Sequence, residues 1–321
     1  MDPIEFLRNF LSGLRQGEAL WLAYQNEQRW RHTASSAAYT LPRDETASLT
    51  FALPRLRPHL RGRRVVVDIG PGTADAVRNK TIPIIERCPN AIWYEAQDVV
   101  PSFAAQAAEL TGYHFPFVGA YHRVADAFAY PTCTFGAPTL FLLLGGTAGN
   151  LPTRPSGALG FFDWLVQLFE RNPDALVLAS FDNDCDGERQ TAAYADQAMA
   201  QSFLETAESR LGWAGFREED FKPGYHWNAE TNSIEIDIRA KRDISLTLWD
   251  GPIAIARDSV FQVGVSIKLT DEQVRGHLAA VKAQAVATFR HPQSRVSLYL
   301  IGNGTAEEAT RWADTALAAV G

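Results

Sequence analysis

The 321-residue chain is 46% hydrophobic and 21% charged, enough apolar surface for a sizeable core and too regular a balance for wholesale disorder. Its length predicts two domains, or one large domain with an insertion. A formal net charge of −7 argues against nucleic acid or an anionic membrane surface as a partner.

Cys88, Cys133 and Cys185 are far apart and form no C-x-x-C pair. They read as small buried hydrophobes in a reducing compartment, with no metal site. The start, Met1-Asp2-Pro3-Ile4-Glu5, lacks the basic-then-apolar pattern of a secretion signal. No apolar run reaches the roughly 18 residues of a membrane helix. The expectation is a cytoplasmic protein.

In chain order, residues 2–31 read as helical, with Phe6, Phe10 and Leu14 on one spacing and Leu20, Leu22 and Tyr24 on another. A small polar loop covers 33–40, and a helix follows to Arg57, where Pro54 and Pro58 break the pattern. Val65-Val66-Val67-Asp68-Ile69 is a buried strand ending in the Gly70-Pro71-Gly72-Thr73 turn. A helix interrupted near Pro83 leads to a second strand at 91–96, then Asp98 and an Ala-rich helix at 101–110. Strand, glycine turn, helix, strand and acid make one right-handed βαβ unit. A third strand is expected over 115–121. The run Thr139 to Leu144 reads as a central parallel strand buried on both faces, ending in Gly145-Gly146-Thr147-Ala148-Gly149-Asn150. A helix at 160–171 and a strand at 175–181 follow. Residues 195–211 read as a helix, and alternation at 234–239 and 245–248 as half-exposed antiparallel strands. Thr270 to Phe289 reads as a capped helix, and Val296 to Ile301 as a late strand rejoining the main sheet. The expected fold is therefore α/β, a Rossmann-like sheet over 1–195 and 267–321 with a smaller α+β insertion over 196–266.

Ligands of open α/β sheets sit beyond the carboxyl ends of the strands. Gly70-Pro71-Gly72-Thr73, Asp98, Gly145 to Asn150 and Asp182 all fall at such ends, with Asp68 just before the first of these turns. Asp98 stands where a carboxylate accepts from ribose hydroxyls, and Glu95 competes for that role. Hydrophobic-Asp-x-Gly-x-Gly-Thr resembles the nucleotide-facing turn of class I S-adenosylmethionine-dependent methyltransferases. A nicotinamide-dependent oxidoreductase also fits βαβ plus glycine turn plus acid, but its fingerprint needs a third glycine where Ala74-Asp75 stand. Asp182 to Asp186 has the opening spacing of a calcium loop, with Ala193 where the loop needs Glu. His226 next to Trp227 lacks further ligands, so no metal is expected.

Over residues 35–270 the chain resembles the histidine Nα-methyltransferases of ergothioneine biosynthesis, a family that includes amino-acid N-methyltransferases of natural-product pathways. Leu144-Gly145-Gly146-Thr147-Ala148-Gly149-Asn150 is similar to the family's Leu-Gly-Ser-Thr-Ile-Gly-Asn. Tyr39-Thr40-Leu41-Pro42-Arg43-Asp44-Glu45 is similar to its Tyr-Tyr-Pro-Thr-Arg-x-Glu, and Ala193-Tyr194-Ala195-Asp196 to its Ala-Tyr-Asp-Asp. Trp227-Asn228 and Ile234-Glu235-Ile236 match positions that look structural. The resemblance implies S-adenosylmethionine at Asp68, Gly70, Gly72, Thr73, Asp98, Tyr121, Gly145, Gly146 and Thr147. It implies Tyr39, Asn150 and Tyr194 as catalytic and substrate-binding residues, with Ser266 beside the substrate.

Two departures matter. The family's adenine-side Gly-Asp-Phe is met by Gly119-Ala120-Tyr121, so the Asp is missing unless Asp126 supplies it. Its Glu-x-Ser, whose Glu reads the imidazole, is met by Gly264-Val265-Ser266. Glycine there removes the imidazole's partner and is expected to open space. The implied activity is methyl transfer to the α-amine of an amino acid or related metabolite other than histidine. A side-chain nitrogen such as a guanidinium is the alternative acceptor, and a catalytically silent binding protein is a third reading. The expected partner is a small molecule; the sequence says nothing about oligomeric state.

Overall fold

The computed structural model describes residues 2–14, 16–35, 39–115, 119–124, 136–150, 160–249 and 251–304. These hold, in chain order, β1 (Val65–Ile69), β2 (Trp93–Asp98), β3 (Gly119–Val124), β4 (Thr139–Leu143), β5 (Leu176–Asp182), β6 (Phe221–Asn228), β7 (Ser233–Ala240), β8 (Ile244–Leu248), β9 (Gly251–Ile255), β10 (Val260–Ile267), β11 (Ala283–Phe289) and β12 (Val296–Asn303). The described residues fall into two compact units, one drawn from 41–149, 153–184 and 268–321, the other from 1–40, 150–152 and 185–267. The division expected from sequence falls instead at 195/196 and 266/267, with the N-terminal helices beside the large sheet.

The first unit is built on a seven-stranded sheet of order β11-β12-β5-β4-β1-β2-β3. β1 pairs in parallel with both β2 and β4, and β4 with β5. β12 lies antiparallel between β5 and β11. From β1 the chain steps outward to β2 and β3, then returns to the opposite side for β4 and β5. The strand order thus reverses between β1 and β4, the switch point where α/β sheets bind ligands. Residues of β1 and β4 are buried along their whole length, which explains why both are nearly all apolar, with Asp68 in β1 and Thr139 at the start of β4 as the exceptions. The helix Leu41–Leu60 covers one face through Leu49, Ala52, Leu56 and Leu60. The expected Rossmann-like α/β fold is the one observed.

The second unit holds the three-stranded antiparallel sheet β10-β7-β6 and the hairpin β8-β9. Helices Pro3–Leu11 and Met199–Leu211 pack in its apolar core, with Phe10 5.2 Å from Phe203 between ring centres.

Several expectations are corrected. The helix of 2–31 is three helices, Pro3–Leu11, Leu20–Tyr24 and Glu27–Ser35; Gly13 and Gly17 at φ 83° and 79° turn the chain between the first two. Pro54 and Pro58 do not end their helix, which runs to Leu60 held by its buried apolar stripe. Pro83 lacks an N–H, and the interruption before it is a π-helical stretch at Val77–Thr81. The 195–211 helix is two, Gly187–Gln197 and Met199–Leu211, divided at Ala198 with φ 52°. The helix of 270–289 ends at Ala280, and 283–289 is strand β11. Its Ala-Gln-Ala-Val-Ala-Thr-Phe sequence favours a helix locally, but pairing with the buried β12 overrides that preference. β6, β9 and β10 had no sequence counterpart. Cys133 and Asp126 lie outside the described residues, as do the side chains of β3, including Ala120 and Tyr121.

Candidate functional site

In the seven-stranded unit, the loops after β1, β2 and β4 open at the switch point. Gly70, Gly72, Gly145 and Gly146 have φ of 69°, 71°, 76° and 71°, a left-handed conformation that side chains with a Cβ resist. Asp98, the last residue of β2, is 7% exposed. Its carboxylate accepts from the Val100 N–H at 2.9 Å and from the Gly72 N–H at 3.4 Å, tying the second loop to the first. Burial pushes Asp98 up to about 6, with the N–H donors of Val100, Gly72 and Val99 opposing the shift. Glu95 lies inside β2, not at its end, and accepts from Gln97 Nε2 at 2.7 Å. Of the two acids, Asp98 is the one at the strand's carboxyl end.

Two further expected cofactor residues hydrogen-bond within the chain. Asp68 is 1% exposed and accepts from the hydroxyls of Thr81 and Tyr94 at 2.6 and 3.1 Å. Burial raises it to about 6, against the hydrogen bonds and the Lys80 charge. The Thr73 hydroxyl caps the following helix by accepting from the Ala76 N–H at 3.4 Å.

The loop after β4 is pinned by the side chains of Glu45, Ser180 and Thr147. Glu45, fully buried, accepts from the Gly145 N–H at 2.6 Å and from Lys80 Nζ at 2.7 Å. Ser180 accepts from the Gly146 N–H at 3.1 Å, and the Thr147 hydroxyl donates to the Leu144 carbonyl at 2.8 Å. Glu45 belonged to the Arg43-Asp44-Glu45 motif, so a signal for it existed; Lys80 lay in an unremarkable helix. Backbone exposed by glycine and a buried strand-end carboxylate fit a nucleoside-bearing cofactor: Asp98 would take the ribose hydroxyls, and the bare loops would lie against the rest.

In the second unit, polar side chains from four parts of the chain form one hydrogen-bonded run. The Tyr194 hydroxyl donates to Ser266 Oγ at 2.6 Å, Ser266 Oγ donates to Asn150 Oδ1 at 2.6 Å, and Asn150 Nδ2 donates to the Tyr24 hydroxyl at 3.2 Å. Tyr194 comes from the helix Gly187–Gln197, Ser266 from β10 and Tyr24 from Leu20–Tyr24. Asn150 ends the short Thr147–Asn150 turn that closes the Gly145-Gly146 loop. The Tyr24 ring meets Trp30 edge-on at 5.0 Å, and Trp30 meets Tyr39 at 6.3 Å. The expected substrate residues Asn150, Tyr194 and Ser266 are thus in direct contact, and Tyr39 joins them through two aromatic steps. Tyr24 and Trp30 are additions. Nothing local marks Tyr24, because its partner is 126 residues away.

The space expected at Gly264 is not there. A Cβ on Gly264 would overlap the Leu20 side chain, so the room freed by glycine is filled from the N-terminal segment. The acidic run after β5 is divided among separate tasks: Asp182 pairs with buried Lys268 at 2.9 Å, Asp184 with Arg295 at 3.5 Å, and Asp186 caps the next helix through the Arg189 N–H at 3.1 Å. His226 pairs with Asp237 at 2.9 Å. Trp227 packs over Gly187, and Asn228 donates to Glu235 at 2.8 Å. Among the described residues no helix is long and apolar enough to cross a membrane.

The sequence profile of the family described as "Histidine-specific methyltransferase, SAM-dependent" matches residues 19–303. No curated protein matches the chain by sequence. Among solved structures it is similar to the CcbJ methyltransferase of Streptomyces caelestis, at 11% identity over 82% of this chain and 90% of that one, with a TM-score of 0.42. It is similar to the sugar N-methyltransferase KedS8 of Streptoalloteichus, at 11% identity over 82% and 90%, TM-score 0.39. It is also similar to the amino pentose methyltransferase CalS10 of Micromonospora echinaspora, at 12% identity over 84% and 94%, TM-score 0.38.

Proposed function

From its place in the histidine-specific, SAM-dependent methyltransferase family, to which this chain belongs, we propose that it methylates the amino nitrogen of an amino acid or amino-acid-derived metabolite other than histidine. Membership makes the protein an S-adenosylmethionine-dependent methyltransferase and removes the nicotinamide reading. The observation that carries the finer proposal is the run Tyr194–Ser266–Asn150–Tyr24, whose carboxamide and hydroxyls offer both donors and acceptors to an amine and its neighbouring carboxylate.

When bound, S-adenosylmethionine would supply a methyl on a sulfonium whose thioether leaving group needs no acid catalysis, and the methylated amine would release one proton to solvent. What remains for the chain is to align a neutral amine. An α-amine titrates near about 8, and a desolvated position lowers that value, so no strong base is required. Asn150 Oδ1 and the Tyr24 hydroxyl accept from the amine and aim its lone pair. Tyr194 and Ser266 hold Asn150 in one orientation, and Tyr39 and Trp30 wall the aromatic side. Asp98, Gly70, Gly72, Gly145 and Gly146 would hold the cofactor, with Asp68 and Thr73 stiffening the first loop. Methyl transfer from S-adenosylmethionine to a panel of amines tests the reading. Transfer to at least one α-amine, with histidine not the best acceptor, is expected; transfer to histidine above all others would refute it.

A further inference from the structure

Residues Gln16 to Ala19 lie along β10 as an added edge. The Gly17 N–H donates to the Gln262 carbonyl at 2.7 Å and the Ala19 N–H to the Val263 carbonyl at 2.8 Å, while the Gln262 N–H donates to Gln16 Oε1 at 2.7 Å. β10 carries a bulge between Gln262 and Gly264. The pairing delivers the chain into the helix Leu20–Tyr24 with Leu20 seated on Gly264, and Leu20 is only 6% exposed.

This contact adjoins the polar run. Gly264 and Ser266 are two apart on a strand and share a face. Leu20 and Tyr24 are four apart on a helix and share a face. Ser266 and Tyr24 are both bonded to Asn150. On each element the step from the polar run to the Leu20–Gly264 contact is therefore about 6 Å. A bare glycine backbone backed by an aliphatic side chain is what lies one step along from Asn150.

We propose that Leu20 determines acceptor specificity. By filling the room over Gly264 it meets the substituent on the acceptor's amine-bearing carbon with aliphatic surface, selecting amino compounds whose substituent is small or aliphatic. An imidazole, indole or charged group there would have to displace Leu20. This rests on the N-methylation reading above, and it reverses the expectation that Gly264 admits a bulkier acceptor.

The test is binding, so it does not depend on turnover. Alanine, leucine, histidine and tryptophan are titrated calorimetrically into the protein saturated with S-adenosylhomocysteine, for the wild type, Leu20→Ala and the milder Leu20→Val. The expected result is that the wild type binds alanine or leucine at least tenfold more tightly than histidine or tryptophan. Shortening Leu20 should shrink or invert that ratio by about tenfold or more, with Leu20→Val between the other two. The same ranking and ratios in all three proteins would overturn the role of Leu20 while leaving N-methylation standing. No binding of any probe to any of them would overturn both.

Discussion

Burial raises Asp98 and Asp68 each to about 6 from an ordinary 3.8, and the charge of Asp98 adds to the rise at Asp68. A carboxylate raised on folding is held more tightly by its proton in the folded chain than in the unfolded one. The stability it contributes is present below about pH 4 and is lost as pH climbs to about 6. Ligand binding should run the other way, because only ionised Asp98 accepts well from ribose hydroxyls. S-adenosylhomocysteine affinity should therefore fall about tenfold between pH 7 and pH 5; Asp98→Asn should weaken it at pH 7 and flatten that slope. A slope that persists in the variant would remove Asp98 from the cofactor site. Glu45 makes a different prediction. Glu45→Ala leaves Lys80 as a nearly buried charge and the Gly145 N–H unbonded, and should lower unfolding stability by about 3–5 kcal/mol. Adding Lys80→Met should restore part of that in urea titrations. Asp98 was legible in the sequence because a strand-end acid has a recognisable place. Tyr24 was not, because its hydrogen bond depends on two distant segments meeting.

At the scale of single elements, β1 and β4 were readable because strands buried on both faces leave runs of apolar residues. β11 was misread because alanine-rich sequence carries helix preference, while its partner β12 decides the outcome. The true end of the preceding helix is marked by Lys282 at φ 56°. Its start is held by a capping box between Thr270 and Gln273, so Thr270→Ala should reduce stability by about 1 kcal/mol without altering cofactor affinity. On β10, Gly264→Ala would press a methyl group into Leu20 and should cost about 1–3 kcal/mol. Leu20→Ala in the same chain should relieve it. Two penalties that simply add in a double-mutant cycle would show that Leu20 and Gly264 do not touch as described.

For the molecule as a whole, the sheet order and its switch point follow from a βαβ unit that composition and glycine placement announce. How the N-terminal 40 residues group with residues 185–267 does not follow from any local pattern. It depends on backbone pairing of Gly17 and Ala19 with Gln262 and Val263 of β10 and on the Gln16 side chain, which accepts from the Gln262 N–H 246 residues away. That pairing places Leu20 where the family resemblance led one to expect empty space. The central claim, that an S-adenosylmethionine-dependent enzyme uses the Asn150 run to orient an amine, is tested most directly by isotope-labelled methyl transfer. Wild type and Asn150→Ala would be compared in single-turnover reactions at saturating cofactor, with S-adenosylhomocysteine affinity measured alongside. Labelled N-methyl product is expected from the wild type, with a rate at least a hundredfold lower in the variant, because a group that aligns the nucleophile is removed, and with unchanged cofactor affinity. Equal rates in the two proteins, or label on oxygen or carbon and none on nitrogen, would contradict it.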